Sequence, residues 1–103
     1  MILSVFERLL LLNILPKEGD LTTLKIVRTL RDNLSFSEEE HAALQFKHEG
    51  GNVMWKDEAE ANKDVVIGEK AMDIIVDALK ALNRAKKLTD QHVDLYEKFV
   101  KEN

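Results

Sequence analysis

The chain holds 103 residues, with 15 Lys and Arg against 19 Asp and Glu, so its formal net charge is -4. A composition of 45% hydrophobic and 33% charged residues excludes an intrinsically disordered chain, and the length suits one domain over residues 1–103. With no cysteine, disulfides, thiol catalysis and cysteine-ligated zinc are excluded, and the acidic balance speaks against coating nucleic acid by bulk charge.

Ile2 to Leu15 is rich in large apolar side chains, and Leu9 to Leu12 is an unbroken run. Glu7 and Arg8 interrupt the stretch, nothing basic precedes it, and no Ala-x-Ala cleavage pattern follows. Pro16-Lys17-Glu18 stops it short of the roughly 20 apolar residues a membrane span needs. The expectation is a cytoplasmic protein with a buried first helix. Ser4 caps that helix, which runs to about Asn13 before Pro16 and Gly19 turn the chain. Because the helix is apolar on nearly every side, it must be surrounded. Phe6, Leu9, Leu10 and Leu12 are the residues expected to seal a homodimer, with burial inside the same chain as the alternative.

Asp20 or Thr22 opens a second helix, with Leu21, Leu24, Val27, Leu30 and Leu34 spaced by threes and fours. Ser37 followed by Glu40 is a capping box, and the acidic turn Glu38 to Glu40 suits the positive end of a helix dipole. Gly50-Gly51 then signals a hairpin that pairs Glu49 with Asn52, His48 with Val53, Lys47 with Met54 and Phe46 with Trp55. A hairpin is marginal alone, so Asp64-Val65-Val66-Ile67 is read as its third strand. From Gly68 a helical stripe of Met72, Ile75, Val76, Leu79 and Leu82 predicts the longest helix, packed across the sheet. Thr89 caps a last helix carrying Val93, Tyr96, Phe99 and Val100, supported by an Asp94–Lys98 pair. The fold class is α+β: three N-terminal helices, a small antiparallel sheet of hairpin plus third strand, and two C-terminal helices.

Chemistry finds little purchase in this sequence. Glu38-x-x-His41 has the spacing of a di-metal carboxylate ligand pair, but such sites need that motif twice with two further glutamates, and one copy stands here. His48 is the best acid–base candidate, beside Phe46 and Trp55, yet a packed structural histidine explains it as well. Of the serines Ser4, Ser35 and Ser37, the first and last are helix caps. No nucleophile elbow, phosphate loop or dinucleotide glycine pattern is present. The expectation is a protein without catalytic residues, metal or cofactor.

Charge is distributed unevenly. Residues 1–36 carry +1, residues 37–64 carry -5 and residues 65–103 are neutral, so the middle segment sets the net charge. An acidic rim around apolar residues steers a basic protein partner. The expected partner face is Glu38, Glu39, Glu49, Met54, Trp55, Asp57 and Glu58, with Trp55 left open as core or anchor. The second reading is a winged-helix-like nucleic-acid regulator, using Lys25, Arg28 and Arg31, which recur every third residue on the second helix. The missing basic recognition surface argues against it.

Two strings carry a resemblance. LPKEGD leading into TLKIVRTLRDNLSFSEEE, and IGEKAMDIIVDALKALNRAKKLTDQHVDLYEKF, are similar to small uncharacterised proteins of bacteriophages and prophages. The likeness implies a small accessory protein that acts by occupying another protein, and it transfers no site residues.

Overall fold

The computed structural model describes residues 1–56 and 62–100. Its elements, in chain order, are β1 (Ile2–Leu3), α1 (Val5–Ile14), α2 (Leu21–Leu34), α3 (Glu38–Leu44), β2 (Lys47–Glu49), β3 (Asn52–Met54), β4 (Lys63–Asp64), α4 (Glu69–Arg84) and α5 (Asp90–Phe99). The fold is α+β, with three helices before β2, β3 and β4 and two after them as the sequence predicts, and with β1 ahead of the first helix as an addition.

Local chemistry fixes where the helices start. The Ser4 and Ser37 hydroxyls accept the N–H of Glu7 and Glu40, and those glutamates reach back to the cap N–H groups, which completes two capping boxes. At α2 the Asp20 carboxylate accepts the Thr23 N–H at 2.7 Å, which holds its pKa below the usual carboxylate value. His92 closes α5 by accepting the Thr89 N–H on Nδ1 at 3.0 Å.

α4 is the organising helix. It packs against α1, α2 and α5, and its Ile75 and Leu79 are fully buried. Around them lie Leu3, Leu11, Leu30, Leu34 and Leu95, all at most 2% exposed, in a mainly aliphatic core that also takes in Phe99. Val65, at 1% exposed, joins this core, while Val66 beside it stands 79% exposed. The α4 stripe lies as its period predicts, except that it covers helices and not the hairpin.

The sheet differs from the expected one. There are two separate two-stranded antiparallel sheets among the described residues, β1–β4 and β2–β3. The register of β2–β3 is the one the glycines predict, and Gly50 and Gly51 hold φ of 55° and 83°. The third strand expected over Asp64–Ile67 is instead the two-residue β4, Lys63–Asp64, with Val65–Ile67 outside any strand, and it pairs with β1, Ile2 opposite Asp64 and Leu3 opposite Lys63. Burial decides this pairing. Leu3 and Val65 both enter the core, whereas all six hairpin residues in β2 and β3 stay exposed and offer a third strand nothing to bury against.

α1 is surrounded largely by its own chain. Val5, Leu10 and Leu11 are buried, Leu9, Leu12 and Ile14 are half-buried, and Phe6 is 37% exposed. Of the four residues expected to seal a dimer, Leu10 therefore belongs to the intramolecular core, at 8% exposed. Lys98 reaches past its own helix, donating to Ile2 O at 2.8 Å and pairing with Glu7 at 3.1 Å, so the expected Asp94–Lys98 support is replaced by a tie between α5 and α1. Among the described residues no helix is long and apolar enough to cross a membrane.

Candidate functional site

Arg8 is the residue around which the α3–hairpin region is built. It is the sole buried charged residue among those described, with no exposed surface, although it lies within a mostly apolar helix. Its Nε donates to Leu34 O at 3.0 Å and its Nη2 to Ser35 O at 2.7 Å. Those carbonyls end α2, where a helix leaves oxygens without intrahelical donors and favours a cation. Nη1 and Nη2 also donate to the two Glu40 carboxylate oxygens. Beneath them the guanidinium lies 3.9 Å from the Phe36 ring centroid. One side chain thus clamps the end of α2 to the start of α3.

Glu40 answers the same geometry. The Arg8 hydrogen bonds pull its pKa from 4.5 to about 2, against the opposing effect of burial and with help from the Ser37 N–H. Of the acidic first turn of α3, Glu40 is spent internally. Glu38 and Glu39 remain exposed on the first turn of α3.

A second cluster, aromatic and apart from the aliphatic core, carries the hairpin. Trp55 stacks on Phe6 with centroids 6.2 Å apart and meets Phe46 at 6.4 Å. Phe46 meets Phe36 edge-on at 5.0 Å and His41 at 5.5 Å. The chain of rings runs from α1 to the base of the hairpin, then to α3 and back to Arg8 through Phe36. Lys56 N–H closes the base on Leu44 O at 2.8 Å. Trp55 is half-buried in these contacts, so it anchors the hairpin from inside. Phe6, expected at a dimer seam, is its stacking partner.

Side chains alternate between the two faces of a strand. Val53 and His48 therefore share a face with Trp55 and Phe46, and Met54, Lys47, Glu49 and Asn52 occupy the other. Met54 is 56% and Val53 36% exposed. Of the expected partner residues, Glu49 and Met54 are brought to one hairpin face, Glu38 and Glu39 lie on α3, and Trp55 lies beneath. Asp57 and Glu58 fall outside the described residues.

His48 is exposed on the hairpin, and His41 turns its ring to Phe36 and Phe46. Among the described residues no group of three or more His, Cys, Asp or Glu is disposed to hold a metal ion. Arg28 and Arg31 are exposed on α2, and Lys25 borders a groove between α2 and α4. Sequence reasoning missed Arg8 altogether. The available signal was a lone cation flanked by Val5, Phe6 and Leu9 to Leu12 in a helix that has to be buried.

Comparison with known proteins identifies no relative: no family model, curated protein or solved structure matches the chain.

Proposed function

We propose that the chain is a non-enzymatic protein-interaction module of the accessory kind, which acts by docking a basic protein partner on the α3–hairpin unit. The observation that carries this reading is the hairpin itself. Its six strand residues are all exposed, so it adds nothing to the core, yet Arg8 and a run of five rings hold its base in place. A two-stranded hairpin is marginal without such support, and a surface element so anchored is suited to presentation. Its outer face offers Met54 opposite Lys47 and Glu49 opposite Asn52, and Glu38 and Glu39 stand exposed on α3, the helix that meets the inner face through His41 and Phe46. Charge of this kind steers encounter with a basic surface and weakens with salt.

The winged-helix alternative is disfavoured by the same unit. In that arrangement the helix before the hairpin meets the nucleic acid, and α3 opens with the exposed Glu38 and Glu39, which repel phosphate. The test is capture from bacterial lysate by the tagged chain, with and without nuclease, beside the variant Glu38→Lys/Glu39→Lys/Glu49→Lys. The expected result is a stoichiometric protein that survives nuclease and is lost from the variant. A captured set that disappears with nuclease would move the function to Lys25, Arg28 and Arg31. Undiminished capture by the triple variant would refute the acidic face.

A further inference from the structure

A groove of about 550 Å³ runs between α2 and the chain entering α4, away from the hairpin unit. Grooves of about 300–1,000 Å³ are the size in which proteins hold small organic ligands. Ile26, Leu30, Val66 and Ala71 give it an apolar lining. Leu30 and Ala71 belong to the core, Ile26 packs on it, and Val66 stands 79% exposed.

The same groove is bordered by Lys25 and Lys70 against one carboxylate, Glu69. Neither lysine enters the ion pairs found among the described residues. Two other polar side chains of the wall are already engaged: Asn33 Nδ2 donates to Val66 O at 3.5 Å and the Thr29 hydroxyl to Lys25 O at 3.3 Å. α4 begins here on Gly68, which provides no side-chain cap for the first-turn amides. In a chain of net charge -4, this apolar groove has a positive border.

We infer that the groove binds a small organic monocarboxylate with an apolar body, of the class of a medium-chain fatty acid. The alkyl chain lies on Ile26, Leu30, Val66 and Ala71, and the carboxylate meets Lys25, Lys70 and the open amides of α4. Charge complementarity selects the anion, because a neutral ligand gains the apolar lining and leaves both ammonium groups unused. Glu69 limits the preference to a single negative charge, since a dianion meets its repulsion.

The test is amide NMR of the intact chain, titrated with monomeric decanoate and, in parallel, decanol. Decanoate is expected to give saturable shifts at Ile26, Val66 and Gly68 to Ala71, with decanol weaker by about tenfold or more, the worth of one charge-assisted contact. Gly68→Asp supplies a cap that competes for the same amides. Open space surrounds the position where its Cβ would stand and φ is -70°, so this variant keeps the fold and is expected to lose decanoate binding. Lys25→Glu/Lys70→Glu is expected to lose it as well. Equal affinity for decanol, shifts centred on Val53 and Met54, undiminished binding in Gly68→Asp, or no saturable shift at all would each overturn the assignment.

Discussion

Arg8→Ala is expected to destabilise the fold by about 3 kcal/mol, because it empties a fully buried site, leaves two carbonyls without donors and strips a half-buried Glu40 of its counterion. A domain of this size has only about 5–15 kcal/mol in total, so Tm should fall by more than about 10 °C. The loss has identifiable parts. The Leu34 and Ser35 carbonyls lose their donors at the end of α2, Glu40 loses its counterion, and Phe36 loses the cation against its ring. Arg8→Lys should fall between the two, because an ammonium keeps the charge but has no planar fork to reach both carbonyls and the carboxylate. Thermal melts followed by circular dichroism measure this, and a shift of only a degree or two in Arg8→Ala would contradict it.

The same pair gives the protein an acid dependence whose sign follows from Glu40. Its folded pKa of about 2 lies below the ordinary 4.5, so on acidification the unfolded chain takes up the proton first. The stabilisation is present above pH 4.5 and is lost as pH falls toward 2. Arg8→Ala removes the cause of the depression, so its stability should lose most of this dependence in that window.

Trp55→Ala is expected to release the hairpin while leaving the helices folded, at a cost of about 2 kcal/mol for a half-buried aromatic side chain. The reason lies in how the rings are allotted. The single tryptophan and three of the four phenylalanines, Phe6, Phe36 and Phe46, form the cluster under the hairpin, and none of them belongs to the aliphatic core built on Leu11, Leu30, Ile75 and Leu79. Hydrogen exchange should show Lys47–Glu49 and Asn52–Met54 losing protection while α4 keeps its own. A single cooperative melt at lower temperature, helices and hairpin together, would show that the two clusters are one.

What the sequence disclosed was local, and what it hid was distant. Ser4, Ser37 and Thr89 announce their helices because the partner of each cap lies three residues away, and Gly50-Gly51 sets the hairpin register for the same reason. Arg8 reads as an interruption because its partners Leu34, Ser35 and Glu40 are 26 to 32 residues off and meet it only when α1 and α2 pack. β1 and β4 are two residues each, too short to carry a period, and their pairing rests on where Leu3 and Val65 are buried. The acidic middle was legible as a composition, yet Glu40 and Asp64 are taken up by Arg8 and by the amino group of Met1. Trp55 was legible as a member of the hairpin face; that its ring turns inward onto Phe6 depends on α1 lying beside the hairpin.

Hydrogen–deuterium exchange on the purified complex with the captured partner tests the docking face most directly. New protection is expected at Glu38 and Glu39 and along Lys47–Met54, with α2 and the α4 groove unchanged. Protection confined to α2 around Arg28 and Arg31, with the hairpin exchanging as freely as before, would contradict it.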